Sequence, residues 1–171
     1  SGGYWNAYYT PNNTVGFLNE SNAFSANSGG TNGSVDIANM DSTKFGFLNG
    51  SSSVNNQNNN GLEFIVYCFA SIPGYSRVGS YIGQTAGITI YTGFQPRFIM
   101  VKSTSNVENW AILDAVRGSG KCLNPNLANA ESDSTLNTFT TTATGFSFPH
   151  QNTADAMLNE NGYEYIFLAI A

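Results

Sequence analysis

Apolar residues in this chain come in short runs separated by stretches of Asn, Ser, Thr and Gly. Residues 62–70, Leu-Glu-Phe-Ile-Val-Tyr-Cys-Phe-Ala, have aromatic and β-branched residues and follow an Asn-rich stretch ending at Gly61. Such a run bounded by turn residues predicts a strand. Its near-continuous apolarity predicts a central strand with little solvent exposure. Residues 163–171 read the same way. Between them, 78–82, 88–91 and 97–102 are set apart by Gly83, Gly87, Gly93 and Pro96. Shorter strands are expected at 110–113 and 146–148, and at 4–9 and 45–48. No long stretch repeats apolar residues at helical spacing, and 126–131 amounts to one short helical turn at most. Closely spaced strands with turns between them favour a sandwich or barrel over a parallel α/β sheet. The expected fold is all-β, an antiparallel β-sandwich of jelly-roll or lectin-like type with little helix.

The runs also repeat. With Trp5 set over Trp110, residues 5–19 align without a gap on 110–124, ending on Phe17-Leu18-Asn19 over Cys122-Leu123-Asn124. Gly46-Phe47 then matches Gly145-Phe146, and Gly61-Leu62-Glu63-Phe64-Ile65 matches Gly162-Tyr163-Glu164-Tyr165-Ile166. Three blocks in one order, with gaps only in Gly-, Asn- and Ser-rich stretches, predict a duplicated half-unit. Residues 1–70 form the first repeat and 71–171 the second, complete one, whether as two units or one compact body. Residues 71–109 have no counterpart before Trp5, so the first copy is expected to lack its front strands. Either upstream residues are missing or a strand from elsewhere completes it. The start, Ser1-Gly2-Gly3-Tyr4, reads as processed, trimmed or excised from something longer.

Composition narrows the partners. Only 10% of residues are charged, against roughly 25% in ordinary soluble domains. With 12 Phe, 9 Tyr and 2 Trp among 171 residues, the chain carries enough apolar surface to offset the entropy of ordering, so disorder is not expected. The net charge of −5 and the scattered Lys and Arg argue against nucleic-acid binding. No apolar run approaches the ~20 residues that span a bilayer, so membrane insertion is not expected. Cys68 and Cys122 both stand in apolar slots of the repeat, which favours packing as small hydrophobes over a disulfide.

Enzyme chemistry is hard to assemble from these residues. The sole histidine, His150, follows Pro149 in an expected loop, and nothing at useful spacing joins it. Glu63 and Glu164 hold equivalent strand positions, which favours a shared structural role over a carboxylate pair. Asp155 and Glu160, near Asn152 and Asn159, offer oxygen ligands, but not at the spacing of a calcium loop. Residues 83–87 and 117–121 are glycine-rich turns, and the second lacks phosphate-loop spacing. Asn12, Asn19, Asn32 and Asn49 begin Asn-x-Ser/Thr triplets, as expected by chance in such a chain, and the run at 55–60 reads as a loop. No catalytic residue, metal or cofactor is expected. Aromatic rings are the remaining candidates. Tyr4, Tyr8, Tyr9, Tyr75, Tyr81 and Tyr91 could stack on sugar rings or form subunit contacts, while the equivalent Trp5 and Trp110 are expected in the core.

Residues 67–81, Tyr-Cys-Phe-Ala-Ser-Ile-Pro-Gly-Tyr-Ser-Arg-Val-Gly-Ser-Tyr, carry a resemblance that continues through 91–102, Tyr-Thr-Gly-Phe-Gln-Pro-Arg-Phe-Ile-Met-Val-Lys, and resumes at 109–114 and 123–131. The sequence resembles a β-rich domain of undefined function found in structural proteins of marine bacteriophages. There it often occurs in tandem, near lectin-like sandwich domains of fibre or other appendage proteins. The resemblance covers 67–171, with 4–69 similar to the latter half of a preceding unit. It implies a non-enzymatic virion component: a tail-fibre, receptor-binding or capsid-decorating domain at the virion surface or otherwise extracellular. It also implies a homo-oligomer, a trimer or polymer, with other virion proteins and host-surface glycans as partners. Two other functions are compatible with the sequence: a subunit of an extracellular filament assembled by strand complementation, and a carbohydrate-binding module.

Overall fold

The computed structural model describes residues 5–26, 37–38, 44–47, 63–149 and 157–171. Tyr4, Asn32, Asn49, His150, Asn152, Asp155 and the run at 55–60 lie outside the described residues. The strands in chain order are β1 (Asn6–Tyr9), β2 (Thr14–Phe17), β3 (Ser25–Ala26), β4 (Ile37–Ala38), β5 (Gly46–Phe47), β6 (Ser76–Ile82) and β7 (Ile88–Tyr91). They continue with β8 (Phe98–Ser103), β9 (Ala111–Asp114), β10 (Lys121–Cys122), β11 (Ser132–Asp133), β12 (Thr140–Thr142), β13 (Gly145–Phe148) and β14 (Glu164–Ile170). All pairings are antiparallel. The expectation of an all-β, antiparallel, sandwich-like chain therefore holds among the described residues.

Two sheets carry the core, one ordered β6-β14-β8-β9 and the other β12-β13-β7. The last strand in sequence is a central one. β14 pairs with β6 from Glu164↔Ile82 to Ile170↔Ser76, and with β8 from Tyr165↔Ser103 to Ile170↔Phe98. Its alternation divides it cleanly: Tyr165, Phe167 and Ala169 are buried, while Ile166, Leu168 and Ile170 are half-buried on the opposite face. The buried set meets Phe146 and Phe148 of β13 and Ile90 of β7 in one core cluster. Phe167 stands edge-on to Phe146 at 5.5 Å between ring centroids, and Tyr81 of β6 stacks on Tyr165 at 4.9 Å.

The pairing of β13 with β7 leaves no room at Gly145, which stands opposite Tyr91. A Cβ there would lie 2.1 Å from the carbonyl oxygen of Ile90. That contact is to backbone and cannot relax by rotating a side chain. The Gly145→Ala variant is expected to lose about 1–3 kcal/mol of stability, as overpacked sites do, read as a lower urea midpoint with an unchanged slope.

Three smaller sheets, β1-β2-β3, β4-β5 and β10-β11, complete the described strands. The 5–26 segment docks on the four-stranded sheet and the loop beyond β8. Phe24 N–H donates to the Thr104 carbonyl at 2.9 Å, and Glu108 N–H to that of Ser21 at 2.9 Å. The indole N–H of Trp110 donates to the Phe17 carbonyl at 2.8 Å.

Several expectations fail, each for a physical reason. Residues 63–70 form no strand and are exposed, because β14 already fills the only described slot between β6 and β8. Cys68 lies in that segment and is exposed, whereas Cys122 is buried as expected, and both are free thiols. Trp110 is buried under Phe24 and the Phe17 carbonyl, but Trp5, its sequence counterpart, is 53% exposed and not a core residue. No helical turn is assigned at 126–131. The 3-10 turns sit instead at Thr10–Asn12, where Pro11 stands early in the turn, and at Thr135–Asn137, capped by the Ser134 hydroxyl accepting from Leu136 N–H.

Candidate functional site

The segment that fails to enter a sheet is the most unusual surface among the described residues. Phe64, Ile65, Val66, Tyr67 and Phe69 are between 46% and 75% exposed, and Ile72 is also exposed. Soluble monomers seldom present contiguous apolar patches of this kind without a function for them. No charged residue occurs from 64 to 72. Glu63 at its head and Glu164, the equivalent position on β14, are both exposed.

The far end of this segment is hitched to the outer edge of β6. Ile72 bridges Ser76, with Ile72 N–H donating to the Ser76 carbonyl at 2.9 Å and Ser76 N–H returning a bond at 3.0 Å. The Ser71 hydroxyl accepts from Val78 N–H at 3.1 Å and donates to the Val78 carbonyl at 3.3 Å. The Ser76 hydroxyl donates to the Ala70 carbonyl at 2.7 Å. Backbone groups alternate sides along an antiparallel strand, so those of Ser80 and Ile82 also face outward. Among the described residues nothing pairs with them there. A started hairpin thus ends in an open sheet edge beside an apolar, strand-like segment.

The tyrosine candidates separate sharply by environment. Tyr81 is a core residue: it stacks on Tyr165 and its hydroxyl donates to the Leu158 carbonyl at 2.5 Å. Burial, and secondarily Tyr165, pushes its pKa well above the ordinary range. Tyr9 is buried at the end of β1. Neither ring is available to stack on a ligand, which corrects the expectation for both. Tyr8 is half-buried on β1. Tyr75 and Tyr91 are exposed, one in the turn before β6 and the other at the end of β7 on the second sheet. The structure therefore does not gather these tyrosines into one platform. An open groove of about 440 Å³ runs along Ile88, Thr89, Ser119, Phe139, Thr140 and Ser147. Its rings, Phe139 and Phe148, are buried, so it offers hydroxyls where a sugar site would want ring faces.

Two buried polar side chains went unremarked or were assigned differently in the sequence. Lys102 of β8 has no exposed surface. Its ammonium donates to three backbone carbonyls, Ser103 at 2.6 Å, Ser21 at 3.3 Å and Asn106 at 3.5 Å. Burial lowers its pKa from 10.5 to about 8, against the opposing pull of Glu108. The residue clamps the docked 5–26 segment to the main sheet. The only sequence signal is a lysine at the end of an otherwise apolar run. Asn159, weighed above as an oxygen ligand, is buried with its amide engaged: it donates to the Gln84 and Pro149 carbonyls and accepts from Gln84 N–H at 2.8 Å. It closes a loop. Among the described residues no three His, Cys, Asp or Glu side chains gather as metal ligands would.

A family model described as Domain of unknown function (DUF7483) matches residues 5–171. No curated protein and no solved structure matches the chain.

Proposed function

We propose that this chain, which belongs to the DUF7483 family, is a non-enzymatic structural unit of an extracellular assembly, of the virion-appendage kind: a tail-fibre, receptor-binding or capsid-decorating domain. The observation that carries this reading is the exposed, uncharged segment at 64–72 beside the edge of β6 that is open among the described residues. A surface of that composition is a liability in an isolated protein and an asset in an assembled one. The low charge and the Asn-, Ser- and Thr-rich loops suit a domain that works by contact with neighbours outside the cell.

Duplication of a half-unit is part of the same proposal, and the element positions support it. β1 and β9 occupy matching places in the aligned blocks, residue for residue. The β4–β5 hairpin pairs Ile37↔Phe47 where the β12–β13 hairpin pairs Thr141↔Phe146, its sequence equivalent. Trp5 N–H donates to the Asn19 side chain, and the equivalent Asn124 side chain donates to the Trp110 carbonyl. Two such half-units in packed antiparallel sheets make a lectin-like sandwich the finer architecture we assign. Under this scheme 62–70 is the first-copy counterpart of β14. The same segment favours one further reading, a filament subunit whose incomplete half is finished by strands from a neighbour.

The test is the native mass and shape of the purified chain, by light scattering after size exclusion and by electron microscopy of the same sample. A closed oligomer supports the appendage reading, and open-ended threads support the filament. A single-copy mass at every concentration up to the millimolar range would overturn both.

A further inference from the structure

We infer that residues 64–69 are an assembly strand that pairs with the same segment of a second copy, joining two four-stranded sheets edge to edge across a two-fold axis. The inference rests on the reading of this chain as an assembling unit and names its partner. Three observations carry it. First, the segment has strand chemistry on both faces. Its match to β14 places Phe64, Val66 and Cys68 opposite the buried Tyr165, Phe167 and Ala169, and Ile65, Tyr67 and Phe69 opposite the half-buried Ile166, Leu168 and Ile170. A segment apolar on both sides belongs inside a sheet, with a strand on each edge.

Second, the outer edge of β6 lies at the end of the segment as a neighbour for one of those two edges. The Ile72↔Ser76 bridge starts an antiparallel turn against β6; past it the Ser71 hydroxyl takes both backbone groups of Val78, and the outward backbone groups of Ser80 and Ile82 have no partner among the described residues. The remaining edge needs a partner from outside. Third, the segment is self-complementary. A two-fold contact requires only one patch, presented twice. Antiparallel pairing sends the two Glu63 carboxylates to opposite ends of the ribbon, and no other charge lies within it. Phe64, Ile65, Val66, Tyr67 and Phe69, each 46% to 75% exposed, supply the apolar surface that such a contact buries.

The experiment uses the full chain, with Cys68 as reporter. Cys68 is exposed in the single chain and Cys122 is buried. Sedimentation across a concentration series should show the mass doubling. Maleimide labelling should slow at Cys68 as the dimer forms, while Cys122 stays unlabelled throughout. The Tyr67→Lys and Ile65→Lys variants change exposed side chains, so each should keep the parent's circular dichroism and thermal midpoint while weakening association roughly tenfold or more. A single-copy mass at all concentrations would overturn this inference together with the assembly reading beneath it. Association that persists undiminished in both variants, with Cys68 labelled as fast in the assembled form as in the dilute chain, would overturn this inference alone and place the contact elsewhere.

Discussion

Truncating Phe167 to alanine is expected to remove about 3–5 kcal/mol, a large share of the ~5–15 kcal/mol by which a folded domain is stable. Phe167 is buried at the centre of β14, the strand on which β6 and β8 both depend. Its ring stands edge-on to Phe146 and tilted to Tyr81, so the deletion strips contacts from both sheets at once. The ring lies over Gly79, so close that a Cβ there would be 2.7 Å from it, and glycine has no side chain to turn into the void. The β-ladder on either side of position 167 holds the backbone in place, and the cavity persists. Urea unfolding should show the midpoint falling steeply. Val66 is the sequence counterpart of Phe167, and it is about half exposed. The Val66→Ala variant should stay within about 0.5 kcal/mol of the parent at a dilution where the chain is single. Equal losses in the two variants would mean that 63–70 packs as β14 does.

The second large effect is on pH. The Lys102 ammonium has a pKa near 8 in the folded chain and 10.5 as its ordinary value. Below pH 8 it is charged in both states. Between about 8 and 10.5 the unfolded chain holds a proton that the folded chain has released, so stability rises with pH across that window, by at most about 1.4 kcal/mol per pH unit for one proton. Cys122 acts in the opposite sense: burial pushes its pKa from 9.0 to about 11, so stability from this group falls between those values. The buried hydroxyls of Tyr81 and Tyr165, both raised by burial, add to the fall at higher pH still. The expected profile rises from pH 8 to 9, levels, and then drops. In Lys102→Met the rise between pH 8 and 9 should vanish while the drop remains. Urea midpoints at half-unit pH intervals would check it, and a rise that survives in the variant would assign the titration to another group.

Much of the scaffold is legible in the chain. The apolar runs that became β6, β7, β13 and β14 are bounded by Gly or Pro, and the expected limits of these strands and of β8 and β9 fall within about two residues of the observed ones. What composition cannot convey is whether a competent strand has an open slot. Residues 63–70 and 163–171 read alike, yet only one of them lies between β6 and β8. The tyrosines make the same point at the scale of a side chain. Tyr81 and Tyr91 both stand in the last two positions of a strand, and the buried one is fixed by a carbonyl at Leu158, 77 residues away along the chain. Lys102 was hidden because a lysine at a strand end ordinarily reaches solvent, and the carbonyls of Ser21, Ser103 and Asn106 that hold it instead are brought together only by the fold.

The place of β14 has a consequence in time. The four-stranded sheet is threaded so that its third-last and second-last neighbours in sequence, β8 and β9, and β6 before them, are all synthesised before the strand that binds β6 to β8. Such long-range closure is slow relative to local folding. During that interval a growing chain holds a vacancy between β6 and β8, and it already contains a look-alike for it at 63–70, linked to β6 by a short turn. Were that look-alike to take the vacancy first, β14 would have to arrive as a displacer as well as a partner. Its advantage over the look-alike, more than the stability of either pairing alone, sets how cleanly a ribosome can deliver this fold.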